Sequence, residues 1–248
     1  IVVPTTAGSG AESTPFSVLY IGPQKYSIEH KLIKPNYFFL IPELVLNGNN
    51  IIKASSGFDA IAQALESMLS VKSNKQSLDF SSKSLKLSIA NYEEFIKKPN
   101  YENTFKMCLA ANLAGKAIAT AKTNGPHAVS YPFSLHYKIS HGHAVSLTTN
   151  QFLTLYYFNS EKGLTNFNIK KNFEKIFKIL KVKNIYELNI LLKKIKSAGS
   201  LESDYKKLGI NIKNNYHKIL DSVNEQRLSN CPIKIKVNDI RSILNMEI

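Results

Sequence analysis

The stretch that decides the fold lies at residues 56–66 and reads Ser56-Gly57-Phe58-Asp59-Ala60-Ile61-Ala62-Gln63-Ala64-Leu65-Glu66. Within it and just beyond it, Ile61, Leu65 and Met68 recur at spacings of four and three, which is the spacing of one helix face. Before about residue 51 the apolar residues alternate as in strands, and after it they recur with the helical period. The sequence therefore predicts strands first and then a long succession of helices.

Three short β-type runs lie in the first fifty residues, at Ile1–Val3, Ser17–Ile21 and Tyr37–Ile41. The helices that follow are predicted at residues 56–70, 76–97, 101–122, 126–136, 142–157, 168–181, 185–197, 214–227 and 238–245. Since the period changes near Asn47–Asn50, we expect an α/β segment in residues 1–50 and an all-α domain in residues 51–248. Residue 1 is isoleucine rather than methionine, so we also expect the chain to be part of a longer polypeptide.

The charge of the chain is strongly positive, at +14 over 248 residues, and lysine supplies nearly all of it. Arg227 and Arg241 are the only arginines among the 32 basic residues. Arginine, rather than lysine, supplies the two-pronged hydrogen bonding favoured in phosphate and guanine recognition. The lysines are spread over amphipathic helices, so we interpret them as a solvated surface and expect no nucleic-acid partner. A non-catalytic basic helical binding protein is the alternative of another class.

The sequence predicts neither a membrane span nor a disulfide framework. No run of eighteen apolar residues occurs, which argues against a membrane partner. Cys108 and Cys231 lie far apart and neither belongs to a CxxC pair, so the sequence has no zinc motif of that type. Cys108 lies in an apolar helical run and is predicted to be a small buried residue. A cytoplasmic location is therefore expected.

The first candidate site residues are Asp59 and Gln63. Because they are four positions apart, a helix would place one above the other on the same face. The alternative is that Asp59 is an acid in the first turn of a helix, where the helix dipole favours a negative charge. Taken alone, this pair leaves both interpretations open.

A second candidate site is a cluster of histidines. Four of the six histidines fall within seventeen residues, at His127, His136, His141 and His143. Imidazole is the commonest metal ligand and the usual acid–base group near neutral pH. Because the cluster stands beside Gly and Pro turns, with an acid on an earlier helix, it indicates a functional site rather than isolated core residues.

Three segments taken together resemble the iron-containing alcohol dehydrogenase family. Pro4-Thr5-Thr6-Ala7-Gly8-Ser9-Gly10-Ala11-Glu12 resembles its Pro-Thr-Thr-Ala-Gly-Thr-Gly-Ser-Glu signature, Gly57–Ala60 its Gly-Met-Asp-Ala, and Ser140–Gly142 its Pro-His-Gly. The resemblance implies the dehydroquinate synthase-like fold, with residues 1–50 as the end of a nucleotide-binding domain and 51–248 as a metal- and substrate-binding domain. The glycine-rich pyrophosphate turn of the family is not found in the sequence, so we expect this chain alone to bind a dinucleotide poorly and not to turn over.

The resemblance also implies a metal site. The family's ligands match Asp59, Gln63, His127 and His141, at spacings of four and fourteen. Gln63 stands where the family has a histidine, and a neutral amide oxygen is a weaker ligand than imidazole. Either Gln63 is a weak fourth ligand or the site binds no metal tightly. Fe²⁺ is the expected ion, and Zn²⁺ is the alternative.

The same resemblance assigns the remaining roles. Thr5, Thr6 and Gly8 are expected to line a cleft for NAD(P)H. The expected catalytic residues are His127, Tyr131 and His141, where Tyr131 replaces a second histidine that often follows the first by four. Independently of the resemblance, the proton could reach the alkoxide through water, with Tyr131, His136 or His143 as the relay.

A narrower resemblance concerns Gln63 together with Lys122-Thr123 before His127. This combination is similar to the phosphonoacetaldehyde reductases of the family, which implies reduction of phosphonoacetaldehyde to 2-hydroxyethylphosphonate. A helix is predicted to start near Pro126, so Lys122, Thr123 and free backbone amides there could hold the phosphonate. Alternatively, Lys122 faces solvent and complements the dipole at the end of the preceding helix. A general alcohol or lactaldehyde dehydrogenase acting on a small aldehyde or alcohol is the second candidate, and the family allows a homo-oligomer.

Overall fold

The computed structural model describes residues 1–21, 24–163 and 167–246. Its two strands, β1 (Phe16–Ile21) and β2 (Gln24–Glu29), form an antiparallel hairpin in which Phe16 pairs with Glu29. The α-helices are α1 (Glu43–Leu46), α2 (Asn50–Met68), α3 (Lys75–Lys97), α4 (Tyr101–Ala121), α5 (Gly125–Tyr137), α6 (His141–Phe158), α7 (Ile169–Leu180), α8 (Ile185–Ala198), α9 (Ile212–Leu220), α10 (Glu225–Leu228) and α11 (Val237–Asn245). Short 3-10 helices lie at Ala11–Ser13, Lys31–Ile33 and Ser160–Lys162.

The prediction of strands followed by a helical domain is confirmed, but the strands differ in detail. Ser17–Ile21 corresponds to β1, whereas Ile1–Val3 and Tyr37–Ile41 meet only through a parallel bridge between Val2 and Phe38. Strand β2 was not predicted, and its apolar residues Tyr26 and Ile28 are each 42% exposed. A strand that buries so little has a weak hydrophobic pattern.

One predicted helix, at residues 214–227, is divided into α9 and α10. The break falls before Asn224, whose side chain accepts a hydrogen bond from the Arg227 N–H at 2.9 Å and so starts a new helix. The prediction of one continuous helix was therefore wrong. In the described ranges, no helix combines the length and apolar character that a membrane crossing requires.

Helix α2 forms the centre of the domain. It packs against α3, α4 and α6, and every residue from Gly57 to Met68 is buried. Its N-terminus is capped by Asn49, whose side-chain oxygen accepts a hydrogen bond from the Ile51 N–H at 2.8 Å. Because this helix is buried all round, its polar side chains need partners inside the protein. Those partners form the candidate site described below.

The glycine-rich loop at residues 4–10 lies directly on α2 and α4. A Cβ atom at Gly8 would lie 2.6 Å from the Ser56 carbonyl oxygen. Gly10 has a φ of +58° and contacts Gly115 of α4 so closely that a Cβ at Gly115 would lie 2.4 Å from the Gly10 carbonyl oxygen. The glycines of this loop therefore permit backbone-to-backbone contact with both helices.

Replacing Gly115 by alanine should destabilise the protein, because the new methyl group meets backbone atoms that cannot rotate away. We expect a loss of about 2–3 kcal/mol in the free energy of unfolding, measured by urea denaturation. Gly209→Ala is the control, since Gly209 has a φ of +72° but no neighbouring atom within 4 Å of the new Cβ. Its expected loss is only the backbone strain of about 1 kcal/mol. An unchanged urea midpoint for Gly115→Ala would contradict the importance of this contact.

Candidate metal centre

Three side chains from three helices converge at one point. Asp59 lies in the middle of α2, His127 in the first turn of α5, and His141 is the first residue of α6. The His127 Nε2 atom lies 3.1 Å from Asp59 Oδ1, and the His141 Nε2 atom lies 3.9 Å from the same oxygen. The side chains of Asp59 and His127 are buried, whereas that of His141 is 38% exposed. The cluster is therefore open to solvent on the side of His141.

The start of α6 is held against the backbone of α2. A Cβ atom at Gly142 would lie 1.9 Å from the Ser55 carbonyl oxygen and 2.9 Å from the Asp59 Cβ atom. The Ser140 hydroxyl donates to the Ser55 hydroxyl at 2.9 Å. The lack of a side chain at Gly142 thus allows the backbone approach that brings His141 to Asp59.

The charges of the cluster stabilise one another. Burial alone would raise the pKa of Asp59, but the charge of His141 and the contacts with His127 and Gln63 hold that pKa below its ordinary value. Burial alone would lower the pKa of His127, but the carboxylates of Glu66 and Asp59 raise it to about 9. His127 as a cation thus bridges two carboxylates. Because a histidine ligand must be neutral, a divalent ion at Nε2 would displace that proton.

The donor set fits a divalent transition-metal ion. One ligand atom from each of Asp59, His127 and His141 can be chosen so that all three lie within 4.8 Å of one another. Ligands that stand 2.0–2.2 Å from a common ion lie roughly 3–3.5 Å apart, so small side-chain adjustments would complete such a shell. Imidazole with carboxylate is a donor set that suits both ferrous and zinc ions.

Gln63 lies one turn after Asp59 and is buried with it. Its Nε2 atom donates to Asp59 Oδ2 at 3.1 Å and to the Ser9 carbonyl oxygen at 3.4 Å. Its Oε1 atom is buried and has no hydrogen-bond partner among the described residues. A buried acceptor without a partner is costly, so this oxygen favours Gln63 as a weak fourth ligand. That role stays a prediction.

Glu66 is a site residue to which the sequence analysis gave no role. Its Oε1 atom lies 2.5 Å from His127 Nδ1, and its Oε2 atom accepts hydrogen bonds from the backbone N–H groups of Asn124 at 2.7 Å and His127 at 3.4 Å. Asn124 returns a bond from its side-chain amide to the Glu66 carbonyl oxygen at 2.9 Å. The spacing could have revealed it, because Asp59, Gln63 and Glu66 stand at i, i+4 and i+7 on one helix face.

This arrangement corrects one expectation about the start of α5. Backbone amides there were expected to be available to a phosphonate, but the buried carboxylate of Glu66 already accepts from those of Asn124 and His127. The helix therefore carries its own anion at its N-terminus, which its dipole favours. An external anion would be repelled by that carboxylate or would have to displace it from these N–H groups.

The side chains of the two predicted phosphonate ligands have other partners. The Lys122 ammonium pairs with Glu29 of β2 at 2.5 Å and lies 4.3 Å from the centre of the Phe16 ring. Thr123 is buried, and its hydroxyl accepts a hydrogen bond from the Arg227 guanidinium. Lys122 is therefore not simply a solvent-facing lysine, because its ammonium is paired with Glu29 and its side chain is only 19% exposed. A role of Lys122 and Thr123 in phosphonate binding stays a prediction.

The predicted cofactor residues belong to the loop that contacts α2. Thr5 is exposed, Thr6 is half-buried, and Gly8 is buried against Ser56. The next residue, Ser9, accepts the hydrogen bond from Gln63 through its carbonyl oxygen. The loop thus reaches the edge of the candidate metal centre, and its role in binding a dinucleotide stays a prediction.

The three candidate relays differ in position. Tyr131 follows His127 by one turn on the same face of α5. His136 lies about 13 Å further along that helix than His127, and its Nε2 atom contacts the Ser222 hydroxyl at 3.0 Å. His143 bonds through Nε2 to the Glu202 carbonyl oxygen at 2.7 Å. A role of any of the three as a proton relay stays a prediction.

Comparison with protein families gives a match over most of the chain. The model described as "Fe-containing alcohol dehydrogenase family, C-terminal" matches residues 53–248. The predicted resemblance is confirmed by this match.

Comparison with individual proteins gives relatives that are longer than this chain. A phosphonoacetaldehyde reductase of Streptomyces viridochromogenes is 32% identical over 156 residues, covering 62% of this chain and 40% of that protein. A 4-hydroxybutyrate dehydrogenase of Clostridium kluyveri is 30% identical over 168 residues, covering 66% of this chain and 45% of that protein. This chain thus matches less than half the length of either relative.

Solved structures with the same fold cover nearly the whole chain. A sulfoacetaldehyde reductase of Bifidobacterium kashiwanohense, solved in complex with NAD+, superposes with a TM-score of 0.87 at 26% identity. The superposition covers 98% of this chain and 63% of that one. A 1,3-propanediol oxidoreductase superposes with a TM-score of 0.86 at 18% identity, covering 98% of this chain and 64% of that one, which shows the shared fold alone.

Proposed function

The chain belongs to the Fe-containing alcohol dehydrogenase family, and from this premise we propose that the protein reduces a small aldehyde to an alcohol with NAD(P)H and a divalent metal ion. The observation that carries the proposal is the convergence of Asp59, His127 and His141 from three helices. Two imidazoles, which bind a metal in their neutral form, and one carboxylate suit a metal ion that polarises the carbonyl oxygen of the substrate. The relatives that are named as reductases and dehydrogenases support the same class of reaction.

In the proposed reaction, the residues of this chain hold the metal ion, orient a ligand imidazole and deliver a proton. A bound divalent ion would polarise the aldehyde oxygen, and a bound nicotinamide would supply the hydride. Asp59, His127 and His141 would hold the ion in a fixed position, because each comes from a different packed helix. Once His127 has lost its Nε2 proton, Glu66 would hold the remaining proton on Nδ1, so that Nε2 presents its lone pair to the ion. We assign delivery of the proton to Tyr131, one turn after His127.

For the substrate we propose phosphonoacetaldehyde. The support is the 32% identity to a phosphonoacetaldehyde reductase, together with the combination of Gln63 and Lys122-Thr123 in this sequence. The structural similarity to a sulfoacetaldehyde reductase points to the same kind of molecule, a two-carbon aldehyde with a tetrahedral anionic group. A general alcohol or lactaldehyde dehydrogenase is the second candidate, supported by the similarity to a dehydrogenase of 4-hydroxybutyrate.

Steady-state kinetics of the purified full-length protein test the proposal. We expect oxidation of NADH or NADPH with phosphonoacetaldehyde at a kcat/KM roughly 100-fold or more above that with propanal or lactaldehyde. Sulfoacetaldehyde, assayed in parallel, separates recognition of a phosphonate from recognition of any such anion. Equal kcat/KM values for all four aldehydes would favour the general dehydrogenase. Absence of reduction with added Fe²⁺ or Zn²⁺ would contradict the proposed reaction.

A further inference from the structure

The arginine of α10, Arg227, lies against the helix that carries His127. Its Nε atom donates to the Tyr131 hydroxyl at 3.1 Å, and its guanidinium carbon lies 5.8 Å from the centre of the Tyr131 ring. One of its terminal nitrogens donates to the buried hydroxyl of Thr123. Helix α10 itself is anchored to α5, because the Asn224 N–H donates to the Ala128 carbonyl oxygen at 3.2 Å. The guanidinium is therefore held in one orientation from two sides.

The guanidinium of Arg227 has no carboxylate of the described residues within 4.0 Å of it. In the parts of the chain that the structure describes, none of the ion pairs includes Arg227. Its two side-chain partners, Thr123 and Tyr131, are neutral hydroxyls. A guanidinium stays charged at any physiological pH, and a half-buried charge is costly without an opposite one. The guanidinium of Arg227 is therefore suited to pair with an anion that comes from a ligand.

The remaining donors of Arg227 suit a particular kind of anion. A guanidinium offers five N–H donors in a rigid plane. The Nε donor is used by Tyr131 and one donor of a terminal nitrogen by Thr123, so three donors on the two terminal nitrogens remain. A tetrahedral group with three oxygens, such as a phosphonate or sulfonate, can accept two parallel hydrogen bonds from such a fork. A lysine could not reproduce that geometry.

The position of Arg227 ties this anion site to the candidate metal centre. Tyr131 and His127 are neighbours one turn apart on α5, with Cβ atoms about 5–6 Å apart. Lys122, by contrast, directs its ammonium to Glu29 of the hairpin. A short aldehyde with its oxygen at the metal centre could therefore extend its other end along α5 toward Arg227.

On this basis, and resting on the proposed function, we propose that Arg227 binds the anionic head group of the substrate and so selects aldehydes that carry a tetrahedral oxyanion. Thr123 and Tyr131 orient the guanidinium for this contact. Arg227 is then the residue that distinguishes a phosphonate or sulfonate aldehyde from an uncharged one of the same length.

Substitution of Arg227 in the full-length protein tests the assignment. We expect Arg227→Ala to lower kcat/KM for phosphonoacetaldehyde about 10- to 100-fold, mainly through KM, because a charge-assisted contact is lost. The value for propanal should fall by a smaller factor, because an uncharged aldehyde loses only the hydrogen bond of Arg227 to Tyr131 and not a contact with its own head group. Arg227→Lys should recover only part of the loss, as it keeps the charge but not the fork. Sulfoacetaldehyde shows whether the site accepts both anions or the phosphonate alone.

The control is Arg241→Ala, which removes the other arginine of the chain. Arg241 lies on α11 with its guanidinium carbon 4.5 Å from the centre of the Tyr216 ring, and we expect kcat/KM to be unchanged for every aldehyde. Equal losses for phosphonoacetaldehyde and propanal in Arg227→Ala would overturn the assignment and indicate a merely structural role. No loss for either anionic aldehyde would overturn it as well.

A binding measurement separates this inference from the proposed reaction. Titration calorimetry with 2-hydroxyethylphosphonate needs no turnover, and we expect Arg227→Ala to weaken binding about tenfold or more. If the wild-type protein reduces no aldehyde but binds 2-hydroxyethylphosphonate, and Arg227→Ala weakens that binding, the proposed reaction is wrong and the anion site stands. If the wild-type protein reduces phosphonoacetaldehyde and Arg227→Ala binds the product equally well, the reaction stands and the anion site is wrong.

Discussion

Asp59→Asn is expected to abolish tight binding of a divalent metal, with a loss of affinity of roughly 100-fold or more for Fe²⁺ or Zn²⁺. Asp59 is the only carboxylate of the three-residue cluster, and its oxygens contact both His127 and Gln63. Asparagine has the same shape, so the change removes the negative charge with little change in volume. A neutral amide oxygen is a much weaker ligand for these ions than a carboxylate.

Metal content and chelator competition measure this effect without any assay of activity. The bound metal per protomer is determined by elemental analysis, and the affinity by competition with a coloured chelator. Asp79→Asn is the matched control, because Asp79 forms an exposed ion pair with Lys83 at 2.7 Å on α3, well outside the cluster. If Asp59→Asn kept the metal content and affinity of the wild type, the ion would have to be held elsewhere.

The sequence was sufficient to predict those parts of the site that depend on local spacing. Asp59 and Gln63 share a helix face because they are four residues apart, whereas the grouping of Asp59 with His127 and His141 was expected from the family resemblance and not from spacing alone. Helix boundaries were predicted to within a few residues where caps and periodicity agree, as at α3 with its Asn74 cap. Both kinds of signal lie within one or two turns of chain.

The features that the sequence did not reveal depend on contacts between distant residues. Lys122 meets Glu29, and Arg227 meets Thr123, across about one hundred residues in each case. Periodicity describes which face of an element is apolar, but not which other element covers it. The use of the backbone N–H groups at the start of α5 by Glu66 was not predicted for the same reason, because no local pattern shows which helix that carboxylate contacts.

Glu66→Gln is expected to lower metal affinity about 10- to 100-fold while leaving the fold in place. In the wild type the Glu66 carboxylate can only accept hydrogen bonds, so when His127 gives up one proton to bind a metal, the remaining proton stays on Nδ1 and the Nε2 lone pair becomes available to the ion. A glutamine whose oxygen keeps the bond to the Asn124 N–H directs its NH₂ group at Nδ1. That contact favours the other tautomer, in which Nε2 carries the proton and cannot bind a metal.

Two measurements distinguish this positioning role from a general loss of structure. Nitrogen NMR of the His127 ring, recorded at a pH high enough to make the ring neutral in both proteins, should show the proton on Nδ1 in the wild type and shifted toward Nε2 in the variant. The chelator competition described for Asp59 gives the affinity. Glu66→Asp, which keeps the carboxylate on a shorter side chain, should restore part of the affinity, and Glu102→Gln, at an exposed ion pair with Lys106, should change nothing. A structural role alone would lower the thermal stability of all Glu66 variants together without shifting the tautomer. Wild-type metal affinity in Glu66→Gln would mean that the ligand geometry of His127 is set by the packing of α5 on α2 and not by the buried carboxylate.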